Sequence, residues 1–339
     1  MAPRDAVKST AGRHNCGVNT LVLPDALVGE ILSATEAAAI AAHDLVGLGD
    51  PIAVDSAAVR AMRKAFDRID VRATVVIGEG EKDDAPMLYA GERLGTGTGP
   101  ELDVAVDPVD GTKLAAGGKP DSVAVLSVAA SGAFFDPGPV FYLEKLITTG
   151  AGRGLSLTRP LGENLRELAD ALGKPIGLLR VAVQDRPRNQ HYLDAARQAG
   201  ATVLPFRDGD VAPAIRAAQP DGDIDLLIGI GGSPEGVLTA AAVRGLDGWM
   251  EARLAPQRSD EIERAREAGI STTRILRLDD LVVGDGYLFI TAVTTGHTLS
   301  AVAREADSVT TDSWVIDPHR GALRFTRRHP IPAGGETRP

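Results

Sequence analysis

Cysteine is almost absent from this 339-residue chain, Cys16 being the only one. A single thiol rules out a disulfide within the chain and leaves no thiolate framework for zinc or an iron–sulfur cluster. Aromatic side chains are also scarce, at 4% of residues, and no basic stripe carries them interleaved. Positive charge is in the minority, since 36 Lys and Arg face 46 Asp and Glu for a formal net charge of −10. Together these features argue against a nucleic-acid partner. No apolar run is long enough to span a bilayer, and residues 1–20 lack the apolar core of a signal peptide. A soluble, cytoplasmic protein with no membrane partner is therefore expected.

What remains is an ordinary globular balance, 44% hydrophobic and 24% charged, in a chain long enough for two domains. Residues 1–24 read as a flexible N-terminal arm and 332–339 as a disordered tail. Alanine-rich helical spacing covers 26–46, and a second amphipathic helix covers 54–69 with Asp55 at its start. Strands are predicted at 72–77, 102–106, 122–130 and 139–148, before a glycine-rich break at 150–154. Strands at 178–184, 201–206 and 223–230 then alternate with helices at 189–199, 211–218 and 234–244. A helix near 259–269 and strands at 286–293, 313–317 and 322–327 follow. This rhythm predicts a layered α/β architecture in two α/β domains, over 25–172 and 173–331.

Two segments carry the most information. Val75-Val76-Ile77 runs into Gly78-Glu79-Gly80-Glu81 and then Asp83 and Asp84; Val104-Ala105-Val106 runs into Asp107-Pro108-Val109-Asp110-Gly111-Thr112. Acids gathered where buried strands end repel one another and are costly to desolvate unless a cation neutralises them. All-oxygen ligands favour Mg²⁺ or Mn²⁺ over zinc. Thr112 opens a predicted helix, and free N–H groups beside a hydroxyl suit a phosphate or a polarised water. Metal, phosphate and activated water in one place describe a phosphoester hydrolase.

Other candidates lie in the second half. Arg186-Pro187-Arg188 sets two guanidiniums beside a rigid turn, suited to phosphate oxygens. Asp208-Gly209-Asp210 ends a strand and could accept sugar hydroxyls. Gly229 to Gly236 leads into a helix with Glu235 in its first turn, a further candidate metal ligand. Each has a plainer reading when taken alone: turn acids at Glu79 to Asp84, a helix cap at Asp55 or Asp210, solvated loop arginines at Arg186 and Arg188.

Taken together and in order, these motifs resemble the class II fructose-1,6-bisphosphatases of bacteria. That family sits within the lithium-sensitive, metal-dependent sugar and inositol phosphatases. The resemblance runs over about residues 26–330 and rests on DPVDGT, IGEGE with DDAPM, YLEKL at 142–146, RPR, DGDVA and GIGGSPEGV. It implies a layered α-β-α-β-α sandwich, a two-metal site for Mg²⁺ or Mn²⁺, and a homo-oligomer, dimer or tetramer. Asp55 and Glu79 would hold one cation, and Asp107, Asp110 and Glu235 the other; Asp110 stands where some members have Glu. Asp110, Gly111 and Thr112 would meet the scissile phosphate. Thr112 would orient the attacking water, with Asp83 or Glu81 taking its proton. Tyr142, Arg186, Pro187, Arg188, Asp208, Gly209, Asp210 and Gly232 match the positions that bind the sugar and its distal phosphate. The implied division is a metal-binding domain at 25–172 and a sugar- and phosphate-binding domain at 173–331. The implied reaction removes the 1-phosphate of a sugar bisphosphate, most simply fructose-1,6-bisphosphate.

The chain departs from the family pattern at Gly49-Asp50-Pro51, where members commonly carry a lysine in place of Pro51, and the segment after Arg253 is shortened. These departures keep other readings open: sedoheptulose-1,7-bisphosphate or an inositol-type monophosphate as substrate, or a non-catalytic metabolite-binding relative.

Overall fold

A computed structural model of the chain describes residues 20–79 and 87–331. Among these residues the strands form two sheets. The first begins with β1 (Arg72–Ile77), β2 (Arg93–Leu94), β3 (Glu101–Asp110) and β4 (Val123–Ala130). The second comprises β5 (Tyr142–Thr148), β6 (Arg180–Gln184), β7 (Thr202–Phe206), β8 (Leu226–Gly232), β9 (Trp249–Leu254) and β10 (Leu276–Arg277). The chain then returns to the first sheet with β11 (Gly286–Ala292), β12 (Ala303–Arg304), β13 (Ser308–Asp317) and β14 (Gly321–Pro330). The first sheet runs β12-β13-β11-β4-β3-β1-β2 with β14 also on β13, and the second runs β10-β9-β5-β8-β6-β7. Because β11 pairs with β4 from Gly286↔Ala129 to Ala292↔Val123, the first sheet takes strands from both sides of residue 172.

Helices α1 (Asp25–His43) and α2 (Pro51–Phe66) cover the outer face of the first sheet. After the short α3 (Thr112–Ala116), helices α4 (Leu161–Leu172) and α5 (Gln190–Gln198) cover the outer face of the second. Helices α6 (Val211–Ala218) and α7 (Ser233–Gly245) lie between the sheets, and α8 (Ser259–Glu267) and α9 (Leu278–Leu281) flank the second. Three buried cores hold five layers together, the middle one filling both faces of the central helices, and give the expected α-β-α-β-α sandwich. Strand β11 shows how: Tyr287 and Phe289 enter the core under α1 and α2, while Leu288 and Ile290 enter the core around α7. A strand covered on both faces reads as an unbroken apolar run, and each such side chain contributes about 1.5–3 kcal/mol on burial.

The middle layer needs small residues, since α7 touches both sheets. Its Ala240, Ala241 and Ala242 are buried, and a Cβ at Gly236 would lie 2.5 Å from Leu143 of β5. This close packing fixes the first turn of α7, and with it Glu235, between the sheets.

Several local expectations are corrected. Strand β3 does not end at residue 106 but continues to Asp110, with a register shift against β4 between Asp107 and Asp110. Asp55 is neither a cap nor in the first turn of α2. That helix starts at Pro51, the favoured first position for proline, and Asp50 caps it by accepting from Ala53 N at 3.0 Å. Helix α4 and strand β9 were not anticipated. The arm expected over 1–24 lies outside the described residues up to 19. From residue 20 the chain is anchored, with Leu23 buried and Leu21 N donating to Asp285 Oδ2 at 3.0 Å. Residues 332–339 lie outside the described residues. Among the described residues, no helix is long and apolar enough to cross a membrane.

Candidate active site

The two sheets present their loops to one cavity of about 660 Å³. Its acidic part is built from the first sheet outward. At the end of β1 the chain turns through Gly78, where a Cβ would lie 1.9 Å from Leu88 O. Only glycine permits that approach, and Glu79 follows directly onto the cavity wall. On β3, the bulge between Asp107 and Asp110 interrupts the alternation of the strand, as bulges do beside active sites. Both carboxylates reach the cavity, and Val109 N donates to Asp107 Oδ1 at 3.1 Å. Gly111, at φ 81°, makes the turn into α3. Thr112 Oγ1 donates to Val109 O at 2.9 Å, which leaves its lone pairs as acceptors. Asp55 of α2 and Glu235 of α7 complete the acids.

The loop after β7 locks onto this bulge. Asp110 Oδ2 accepts from Val211 N at 2.9 Å and so caps α6 across the sheets, while Asp208 Oδ2 accepts from Lys113 N at 3.2 Å. Asp210, for which capping α6 was the plainer reading, makes no side-chain cap bond. Gly209 sits at φ 68°, and a Cβ there would come within 3.3 Å of Gly111 Cα. Gly209→Ala is expected to cost about 1–3 kcal/mol of stability, because it combines a left-handed backbone with this contact. An unchanged melting temperature would show that the loop has room to spare.

The basic part comes from the second sheet. Arg188 donates from Nε to Ile230 O at 2.9 Å and from its terminal nitrogen to Gln184 Oε1 at 2.7 Å, and its guanidinium lies 4.6 Å from the Tyr142 ring centre. Arg186 donates to Asp208 Oδ1 at 3.3 Å. Every expected site residue that is described lines the cavity, with one exception: Pro187 opens the 3₁₀ turn between the arginines without lining it. Glu81 and Asp83 lie outside the described residues. Sequence reasoning passed over Gln184, Phe141 and Lys145. The signal for Lys145 was partial, since it and Glu144 are adjacent charges in a strand that also carries Leu143, Leu146 and Ile147.

The electrostatics are those of a crowded acid cluster. Burial first, then the neighbouring Asp110, Glu235, Glu79 and Asp55, hold the Asp107 carboxyl well above the usual carboxylate range. Asp110 is pushed up by burial and by Asp210 and Glu235. Glu235 is raised by burial and Asp210, and Asp55 by burial. Glu79 is pushed up to about 7 by burial, Asp55 and Glu235. Glu235 Oε2 is buried with no hydrogen-bond partner among the described residues. Those residues do not by themselves close three acids around one point. Even so, clustered carboxylates with an orphaned buried oxygen fit hard divalent cations.

The family described as bacterial fructose-1,6-bisphosphatase, glpX-encoded, matches residues 25–329. The chain belongs to this family of metal-dependent phosphatases. It is 40% identical over 314 residues to the fructose-1,6-bisphosphatase 1 class 2 of Escherichia coli (strain K12), covering 88% of this chain and 92% of that one. The class 2 fructose-1,6-bisphosphatases of Escherichia coli O6:H1 and Shigella flexneri match with the same identity and coverage.

Proposed function

We propose that the chain hydrolyses the 1-phosphate of fructose-1,6-bisphosphate, releasing fructose-6-phosphate and phosphate, with Mg²⁺ or Mn²⁺ as cofactor. The observation that carries this reading is the composition of one cavity, which holds five acids whose carboxyls are all held above their ordinary range, together with two arginines and a pair of aspartates. Asp55, Glu79, Asp107, Asp110 and Glu235 would hold two cations. Bound there, such cations neutralise phosphate charge and acidify a water. Thr112, with its proton committed to Val109 O, offers an acceptor that orients the attacking water. Glu81 or Asp83 takes the proton. Asp110, Gly111 and Thr112 cradle the scissile phosphate, and the turn at Pro187 aims Arg186 and Arg188 at the distal one. Tyr142, Asp208, Gly209, Asp210 and Gly232 meet the sugar. In this reading the metal ligands belong mainly to the first sheet and the sugar contacts to the second, and the protein works as a homo-oligomer.

Pro51, which departs from the family pattern, opens α2 and does not line the cavity, so no second substrate is favoured on its account. Phosphate release compared across fructose-1,6-bisphosphate, sedoheptulose-1,7-bisphosphate, fructose-1-phosphate and inositol-1-phosphate tests the assignment. Preference for either monophosphate would contradict it. Arg188→Ala is expected to raise KM for the bisphosphate by about 10- to 100-fold with little change in kcat, as loss of a charge-assisted contact made in ground and transition states alike. Steady-state kinetics check it, and a fall in kcat at unchanged KM would remove Arg188 from the distal phosphate.

A further inference from the structure

Asn189 stands immediately before α5, the position from which asparagine ordinarily caps its own helix, yet its side chain makes no cap bond. It is fully buried, and its amide is committed to two strand ends instead. Nδ2 donates to Gln184 O at the end of β6 and to Ile230 O in β8, each at 3.1 Å, and Oδ1 accepts from Ile230 N at 2.7 Å. Because Ile230 N can only donate, the orientation of the amide is fixed. These bonds span a gap in the sheet. Among the described residues, β6 and β8 are paired at Val181↔Leu226 and Ala182↔Leu227 alone, and past that point the Asn189 side chain does the joining that backbone bonds do elsewhere. Gly229 leaves it room, since a Cβ there would lie 3.1 Å from Asn189 Oδ1.

The two residues that Asn189 joins are the two that hold Arg188. The Arg188 guanidinium donates to Ile230 O from Nε and to Gln184 Oε1 from a terminal nitrogen. Ile230 O thus accepts from Arg188 and Asn189 together, one bond for each lone pair. We propose that Asn189 is a positioning residue for substrate binding: it fixes the spacing of Gln184 and Ile230, and through them the aim of Arg188 into the cavity. The inference rests on reading Arg188 as the contact to the distal phosphate, and it deepens that reading by naming what sets the arginine in place. A guanidinium held before the substrate arrives loses less freedom on binding than one that swings. Asn189 does not itself line the cavity. Its effect therefore passes through Arg188 and belongs, like that of the arginine, to KM.

The test is a double-mutant cycle on fructose-1,6-bisphosphate hydrolysis with Mn²⁺, using wild type, Asn189→Ala, Arg188→Ala and the double variant. Asn189→Ala is expected to raise KM by about 3- to 30-fold with little change in kcat, a share of the effect of losing Arg188 itself. The double variant is expected to match the KM of Arg188→Ala, because a residue acting only through Arg188 then has nothing left to act on. A role confined to stability would not be silenced in this way. KM effects that multiply, an unchanged KM in Asn189→Ala, or a loss of kcat at unchanged KM would overturn the proposal. Asn189→Ala strips three bonds from a buried site and is the variant most at risk of not folding. Asn189→Ser keeps a hydroxyl there and is milder. A KM rise in Asn189→Ser that disappears when Arg188→Ala is added supports the proposal, and one that persists refutes it. Inactive wild type, or an Arg188→Ala variant with unchanged KM, would instead overturn the functional reading on which the inference rests, which separates the two failures.

Discussion

Asp107→Asn is expected to abolish phosphate release and, in the same protein, to raise the melting temperature of the metal-free form. Both effects come from one charge. Asp107 is pushed upward by burial and by Asp110, Glu235, Glu79 and Asp55, so in the absence of cations its ionised form is a source of repulsion. Asparagine keeps the shape and still accepts from Val109 N, the 3.1 Å bond that shapes the bulge. Removing the charge therefore relieves the cluster without opening a cavity. The same removal deprives a divalent cation of an anionic ligand, and cation stabilisation of a phosphoryl transition state is worth several kcal/mol, about a thousandfold or more in rate. Turnover and thermal melts, each with and without chelator, read both effects. Near-wild-type turnover in Asp107→Asn would remove this residue from the metal site.

Metal-free protein is expected to lose stability as pH rises from about 4.5 to about 7. Glu79 keeps its proton up to about 7 in the folded chain and gives it up near the ordinary 4.5 when unfolded. Between those values the folded state binds more protons than the unfolded one, so stability falls with rising pH. The contribution is fully present below the unfolded value and lost through the folded one. For Glu79 it is on the order of 3 kcal/mol. Asp55, Asp107, Asp110 and Glu235 are all raised as well and act with the same sign. Divalent cations bind the deprotonated acids, so their stabilising effect grows over the same window. Thermal melts of chelator-treated protein across this range, repeated on Glu79→Gln, measure the slope. A flat profile in the wild type, or the same slope in Glu79→Gln, would contradict the account.

Much of this was legible in the sequence, for identifiable reasons. Strand β1 and helix α6 fall on their predicted bounds because their apolar runs are flanked by clear turn signals, Gly78 on one side and Gly209-Asp210 on the other. The acids of β3 were legible as a cluster but misplaced along the strand. A proline between two acids reads as a strand end, whereas here a bulge carries the strand through Pro108 to Asp110. The return of β11 to the first sheet was not legible, because nothing local in Gly286–Ala292 distinguishes β4 from β5 as its partner. The capping of α6 by Asp110 joins residues 101 positions apart, and no local pattern shows it. The Lys145–Asp210 pair is hidden in the same way, since the adjacent charges Glu144 and Lys145 show that buried partners exist but not which residues they are.

The central claim is that these acids work by holding divalent cations for phosphate hydrolysis. Its most direct test is phosphate release from fructose-1,6-bisphosphate by chelator-stripped protein, before and after Mn²⁺ or Mg²⁺ is added back. The account predicts no turnover in the stripped protein and full recovery on addition of cation. Undiminished turnover in the stripped protein would contradict it.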